Sequence, residues 1–244
     1  PEVQPIEQLL DELKNDTMMG QAEVFFSEVL NDPAAGSTDW FDIAKMPVYD
    51  IDSDYDIEVG SFMIIDPSLG KKKSDAQPVG YFKVFDGVPV LWEVRIHQVS
   101  APELVKKVLQ WCLETKCPLV CAESVAYQGT LLQWFDKEAQ RLLMSDIHFL
   151  PVAPKGRKKN SRILNFFKCL MSGSTKVHPR ALGQVLSQIT TFDVLSTNNI
   201  DDILDVGAYA EEAVEMYPNE LMYPDILTLE HNAFSRDLEE HSVF

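Results

Sequence analysis

The spacing of apolar residues changes character along this chain. Between Ile6 and Leu30 they recur at helical intervals, first Ile6, Leu9, Leu10 and Leu13, then Val24, Phe25, Val29 and Leu30, with Gly20 breaking or bending the run. Residues 31–60 lose that period and place eight acids between Asp32 and Glu58, among Pro, Gly and Ser, which predicts an irregular connector. From residue 61 the apolar runs become short and strand-like. Ser61–Asp66 (Ser-Phe-Met-Ile-Ile-Asp) predicts a buried strand ending in a carboxylate. Val79–Phe85 and Val88–Ile96 flank Asp86-Gly87, a two-residue hairpin signal. Ala101–Leu113 predicts an amphipathic helix behind a Ser100 cap. Pro118–Ala122 is another short strand running into a carboxylate, Glu123. Thr130–Leu143 reads as a helix, Ile147–Val152 as a strand and Arg162–Leu170 as a helix. Lys176–His178 reads as a short strand or turn, Ala181–Ile189 as a helix and Ile200–Met216 as a long terminal helix.

Three strands precede the first helix of this series, and strands then alternate with helices. That order predicts an α/β protein with an RNase H-like mixed sheet, hairpin first, flanked by helices. A doubly wound parallel sheet would need a helix between its first strands. The segments divide as an acidic helical and linker stretch (1–60), the RNase H-like domain (61–217) and an acidic tail (218–244). The tail holds six acids against Arg236, yet Leu221, Met222, Tyr223, Ile226, Leu227, Leu229 and Phe234 make it too apolar for a solubilising extension. Docking of a partner is the expectation for it.

With 244 residues, 45% of them hydrophobic, the chain is long enough to bury a core. No apolar run approaches the roughly 18 residues of a membrane span, and no signal peptide opens the chain. The chain starts at Pro1 without an initiator methionine, as expected of a processed product or an excised piece. Cys112, Cys117, Cys121 and Cys169 include no Cys-x-x-Cys pair, so reduced thiols are expected rather than a disulfide framework or a zinc ribbon. The net charge of −17 hides a strong asymmetry. Residues 1–60 carry 15 acids and 2 bases, residues 61–180 carry 10 and 18, and residues 181–244 carry 13 and 1. A basic middle between acidic ends leaves a local field that suits a polyanion, because association follows local and not total charge.

Asp66 and Glu123 each follow an apolar strand, the place where open α/β sheets gather their chemistry. Asp202 and Asp205 are spaced i, i+3 and share a helical face, with Asp201 expected to point elsewhere. Converging carboxylates are costly without positive charge among them, and hard oxygen ligands select Mg²⁺ or Mn²⁺. Two such ions about 4 Å apart suit phosphodiester cleavage. Taken singly, an Asp after a strand is more often a turn former, and Asp201-Asp202 a favourable charge at a helix start. The basic residues fall in two runs, Lys71-Lys72-Lys73 and Lys155-Gly156-Arg157-Lys158-Lys159, the second followed by Arg162, and both suit backbone phosphates. No Walker A loop, His-Glu-x-x-His or Gly-x-Ser-x-Gly occurs, and His97, His148 and His178 are scattered as ordinary structural or surface histidines.

At these residues the chain resembles the C-terminal nuclease domain of the large terminase subunit of tailed bacteriophages. Ala22–Pro33 is similar to the family's link between motor and nuclease, and Ile64-Ile65-Asp66-Pro67-Ser68-Leu69-Gly70 with Ser74-Asp75 resembles its first acidic motif. Cys121-Ala122-Glu123-Ser124 resembles the second. Gly156–Ile163 resembles the basic Lys-x-x-Arg-Ile segment, and Asn199–Asp205 the third acidic motif. The resemblance covers about residues 20–217.

It implies an RNase H-like fold and endonucleolytic cutting of concatemeric double-stranded DNA during packaging in the host cytoplasm, with two Mg²⁺ or Mn²⁺ ions. By the same resemblance Asp66 would bridge the ions, Glu123 and Asp202 would complete them, and Asp205 would assist. Lys158, Lys159 and Arg162 would contact the DNA backbone. The family pattern has His-Asp-Asp and later Asp-Ala where this chain has Ile200 and Asp205-Val206, so Asp201, Asp202 and Asp205 all remain open as the third ligand. Portal, small terminase subunit and an ATPase domain of the same polypeptide, whose Walker motifs are absent from these residues, are the implied partners, and no membrane is. A resolvase-type nuclease of the same fold, or a non-catalytic RNase H-like docking module, are the competing readings.

Overall fold

The structure is a computed structural model that describes residues 43–50, 58–66, 76–123, 128–144, 146–153, 156–194, 196 and 199–222. The expected helix at 6–30, the lysine triplet at 71–73 and most of the acidic tail lie outside the described residues. The strands are β1 (Glu58–Ile65), β2 (Gln77–Phe85), β3 (Val88–His97), β4 (Leu119–Glu123), β5 (His148–Val152) and β6 (Lys176–Val177). The helices are α1 (Ala101–Thr115), α2 (Gln128–Arg141), α3 (Lys159–Ser172), α4 (Pro179–Ile189), α5 (Asp202–Met216) and α6 (Pro218–Met222). The sheet runs β5-β4-β1-β2-β3-β6, with β1, β2 and β3 antiparallel and β4 and β5 parallel to β1. This hairpin-first order is the RNase H-like mixed sheet that the sequence predicts.

The turn between β2 and β3 needs two left-handed residues, and Asp86 (φ 50°) and Gly87 (φ 79°) supply them. The central strand β1 is covered on both faces, which is why it reads as an unbroken apolar run. Alternate residues serve opposite cores. Phe62 and Ile64 join Phe82, Ile163, Phe166 and Leu204 on one face, whereas Met63 and Ile65 join Leu104, Leu109, Trp111 and Phe135 on the other. Phe62 stacks on its cross-strand partner Phe82 with ring centroids 5.0 Å apart. All four cysteines are free thiols.

The segments flanking 61–217 also contribute. Met46 and Tyr49 are buried, Val48 bridges to Val177, and Leu221 is fully buried in the core on the α5 face. Element ends shift by a few residues. α3 starts at Lys159, not Arg162, because its polar first turn hides the helical period. Ser100 stands at the N-cap of α1, but its side chain makes no cap bond.

One close approach positions the site. α5 lies over β2 and against α3, and Gly207 is where α5 meets the Phe166 ring: a Cβ there would overlap the ring. On the other side Gly80 of β2 admits Val206 at a distance no side chain would allow. These two glycines let α5 sink onto the sheet, which brings its first turn toward the ends of β1 and β4.

Candidate active site

Asp66 follows β1 directly and Glu123 closes β4. The two strands are parallel neighbours with Ile65 opposite Ala122, so the next residues, Asp66 and Glu123, stand side by side at one sheet end. Asp202 and Asp205 occupy the first turn of α5. Asp66 and Asp205 are buried, while Asp202 and Glu123 are half-buried.

Their charges converge on Asp66. Burial, and then the charges of Asp205, Glu123 and Asp202, push its pKa from 3.8 up to about 7, with the Lys159 ammonium pulling the other way. Asp205 is also raised, chiefly by burial, against the lowering pull of Lys159 and Arg162.

The cations around the acids come from α3. Lys159 Nζ lies 2.8 Å from Asp201 Oδ1 and 3.2 Å from Asp205 Oδ2. Burial opposes the ammonium, but Asp205 and Asp201 hold its pKa above the ordinary lysine value. Arg162, expected at the DNA backbone, lies inside instead: it is 6% exposed, its Nη2 donates to Asp205 Oδ1 at 3.1 Å, and its guanidinium stacks 4.3 Å over the Tyr209 ring. Three residues after Lys159 on the same helix, it falls on the face that α3 turns to the core. Lys158 is exposed at the start of α3. Arg157 is committed to Glu212 (3.2 Å) and Glu215 (3.0 Å) of α5.

Asp201, expected to point away, is instead buried and bound to Lys159. The reason is a cap supplied from elsewhere. Gln188 Oε1 accepts from the N–H groups of Ile203 (2.8 Å) and Leu204 (3.3 Å), so the Asp201 side chain makes no cap bond of its own. Sequence reasoning missed Gln188, and also Tyr209, whose buried ring lies 4.3 Å under the Arg162 guanidinium. Tyr209 stands at i+4 from Asp205, and that spacing on one helix face is the signal that could have found it. His178 is structural, as expected. It caps α4 by accepting from the Arg180 N–H at 3.1 Å and stacks on Trp92 at 3.8 Å.

Among the described residues, no three Asp, Glu, His or Cys side chains stand as a ready metal cage. The donor chemistry nevertheless fits a divalent cation. The acids offer hard carboxylate oxygens, and the buried Asp66, crowded by three other negative charges, is the group that a cation relieves most. A small shift of Lys159 would free Asp201 Oδ1 and Asp205 Oδ2, while Arg162 keeps Asp205 Oδ1.

No family model and no curated protein sequence matches the chain. Solved structures do. The nuclease domain of the P22 large terminase is 17% identical, with a TM-score of 0.51 over 78% of this chain and 98% of that one. The large terminase of a thermophilic bacteriophage is 10% identical, with a TM-score of 0.52 over 72% of this chain. The chain spans 44% of the length of that thermophilic phage protein. The fold is that of large-terminase nuclease domains.

Proposed function

We propose that this chain is a metal-dependent DNA endonuclease domain of a phage genome-packaging terminase, cutting concatemeric double-stranded DNA by two-metal hydrolysis. The observation that carries the reading is the set of four carboxylates gathered at the ends of β1 and β4 and the start of α5, with Asp66 pushed up to about 7 at their centre. The shared fold with the P22 nuclease domain supports it.

In this reading Asp66, Glu123, Asp202 and Asp205 hold Mg²⁺ or Mn²⁺, and Asp201 adds to the negative field. Bound divalent ions supply the Lewis acidity that activates a water and stabilises the leaving oxygen of a phosphodiester. The chain's own residues do the rest. Lys158 and Lys159, at the open start of α3, take the backbone phosphates on either side of the cut. Lys159 then exchanges the carboxylates it holds in the free protein for phosphate. Arg162 stays inside and holds Asp205 in place through its 3.1 Å bond to Oδ1. The acidic segments outside the domain keep polyanions off other surfaces and direct them to this basic edge. Portal, small terminase subunit and an ATPase domain of the same polypeptide are the partners of this reading, and the host cytoplasm is its place of action.

Plasmid cleavage with Mn²⁺, with Mg²⁺ and with EDTA tests it, using wild type and Asp66→Asn. The substitution keeps size and removes the central negative charge, so cleavage should fall by at least about a hundredfold. A folded Asp66→Asn protein that nicks plasmid as fast as wild type overturns the assignment.

A further inference from the structure

Ile200 immediately precedes the acids at the entry to α5, and it keeps 74% of its surface in water. The residues on either side of it are held in place. Asp201 is buried, with its carboxylate 2.8 Å from Lys159 and its carbonyl accepting from the Asp205 N–H at 2.8 Å. Asn199 is half-buried and tied three ways. Its Oδ1 accepts from the Asp193 N–H at 2.9 Å, and its Nδ2 donates to the carbonyls of Asp193 (2.7 Å) and Ser196 (3.2 Å). Asn160, the residue after Lys159 in α3, donates to the Val194 carbonyl at 2.6 Å and so joins the start of α3 to the same stretch of chain. Ile200 is therefore an apolar side chain held out in water from a pinned backbone.

Its surroundings identify what covers it. Asp201 and Asp202 follow it in the chain, and Lys159 reaches Asp201 from the start of α3, where Lys158 is exposed. The buried core of a protein–protein interface is poor in charge, so one isoleucine among carboxylates and ammonium groups is a poor seat for a protein partner. Duplex DNA has the matching pattern. Its phosphates suit the lysines, and between them lie the sugars and base steps of the minor groove, where isoleucine is among the apolar side chains that insert. Because the flanking backbone is already fixed, little ordering entropy is lost on contact.

We propose that Ile200 is a DNA-contacting residue, packing into the minor groove of the duplex beside the carboxylates. The proposal deepens the nuclease reading by assigning a substrate contact, but the contact itself requires only that the chain binds DNA.

Fluorescence anisotropy on a short A·T-rich duplex, in EDTA and over a range of salt, tests it with wild type, Ile200→Ser, Ile200→Leu and Lys158→Ala. Ile200→Ser should weaken binding about 10-fold, the worth of burying part of one isoleucine side chain. The factor should be the same at every salt concentration, since no counterion is released by this contact. Ile200→Leu should keep most of the affinity, whereas Lys158→Ala should lower the salt slope by about one. Netropsin, which fills the minor groove, should cost wild type more than it costs Ile200→Ser. Binding by Ile200→Ser equal to wild type, a loss that fades with salt as that of Lys158→Ala does, or equal losses to netropsin overturns the proposal. Calorimetric titration with Mn²⁺ and no DNA shows whether the substitution disturbs the site; a weaker Mn²⁺ site in Ile200→Ser would mean that Ile200 acts through the fold, and also overturns it. Failure of the nuclease reading is distinct. A wild type that binds the duplex but does not cut plasmid in Mn²⁺ removes that reading and leaves the anisotropy to decide Ile200, and a wild type that binds no DNA removes both.

Discussion

Replacing Asp66 by Asn should change the pH dependence of stability more than stability itself. In the folded, metal-free protein the Asp66 carboxyl titrates at about 7, and in the unfolded chain near 3.8. A carboxyl raised in this way contributes stability while protonated, and that contribution is lost as pH rises through about 7. Near pH 5 the folded group is almost wholly protonated and the unfolded one almost wholly ionised. Near pH 9 both are ionised. The integrated difference between those pH values is about 3 kcal/mol. For a chain of this size that is roughly 6–12 °C in melting temperature. Asparagine cannot ionise, so the variant lacks this component. Any fixed cost of burying the amide is the same at both pH values and cancels. Acids far from the site give a background common to both proteins, while Asp205, Glu123 and Asp202 lose the Asp66 charge in the variant, so the difference reads Asp66 together with its coupling to them.

The assay is urea unfolding in EDTA at the two pH values, for wild type and variant. The quantity of interest is the wild-type minus variant stability at pH 5, less the same difference at pH 9. A value near 3 kcal/mol is expected. Saturating Mn²⁺ should shrink it, because a bound cation favours the ionised carboxylate. A difference within about 0.5 kcal/mol of zero would mean that burial and the neighbouring acids do not raise Asp66, and would falsify the electrostatic account of the site.

Other perturbations probe the frame around it. Lys159→Met removes the ammonium that occupies Asp201 and Asp205, so calorimetry should show Mn²⁺ binding tighter in the absence of DNA; weaker binding would refute the view that Lys159 stands in for a cation. Gly207→Ala drives a methyl into the Phe166 ring and should cost about 1–3 kcal/mol in urea unfolding, and a neutral result would mean that α5 sits less tightly than described. Gln188→Leu leaves the buried N–H groups of Ile203 and Leu204 without their acceptor, at about 1–3 kcal/mol, and a melting temperature equal to wild type would show that the cap is dispensable.

Much of the fold is local and was legible in the chain. Asp86-Gly87 requires left-handed backbone, and only a tight hairpin uses two such residues in a row. The Ser61–Ile65 run is apolar at every position after the serine because both of its faces are covered. Asp66 and Glu123 could be placed at strand ends for the same reason, since a carboxylate cannot continue a buried run. That they stand side by side is set by the parallel pairing of β1 with β4.

What the chain alone could not settle is which side chain meets which across elements. Periodicity tells a residue's side of its own helix, not what arrives there. Asp201 looked turned away because its neighbours on α5 are Asp202 and Asp205, but Gln188, thirteen residues earlier, takes over the cap and leaves it to Lys159. Arg162 looked like one more phosphate contact in a basic run, until α3 turned it inward onto Asp205 and Tyr209. Tyr209 carried no motif at all. All three outcomes depend on how deeply α5 seats against β2 and α3. Gly80 and Gly207 set that depth through long-range packing, which leaves no period in the sequence.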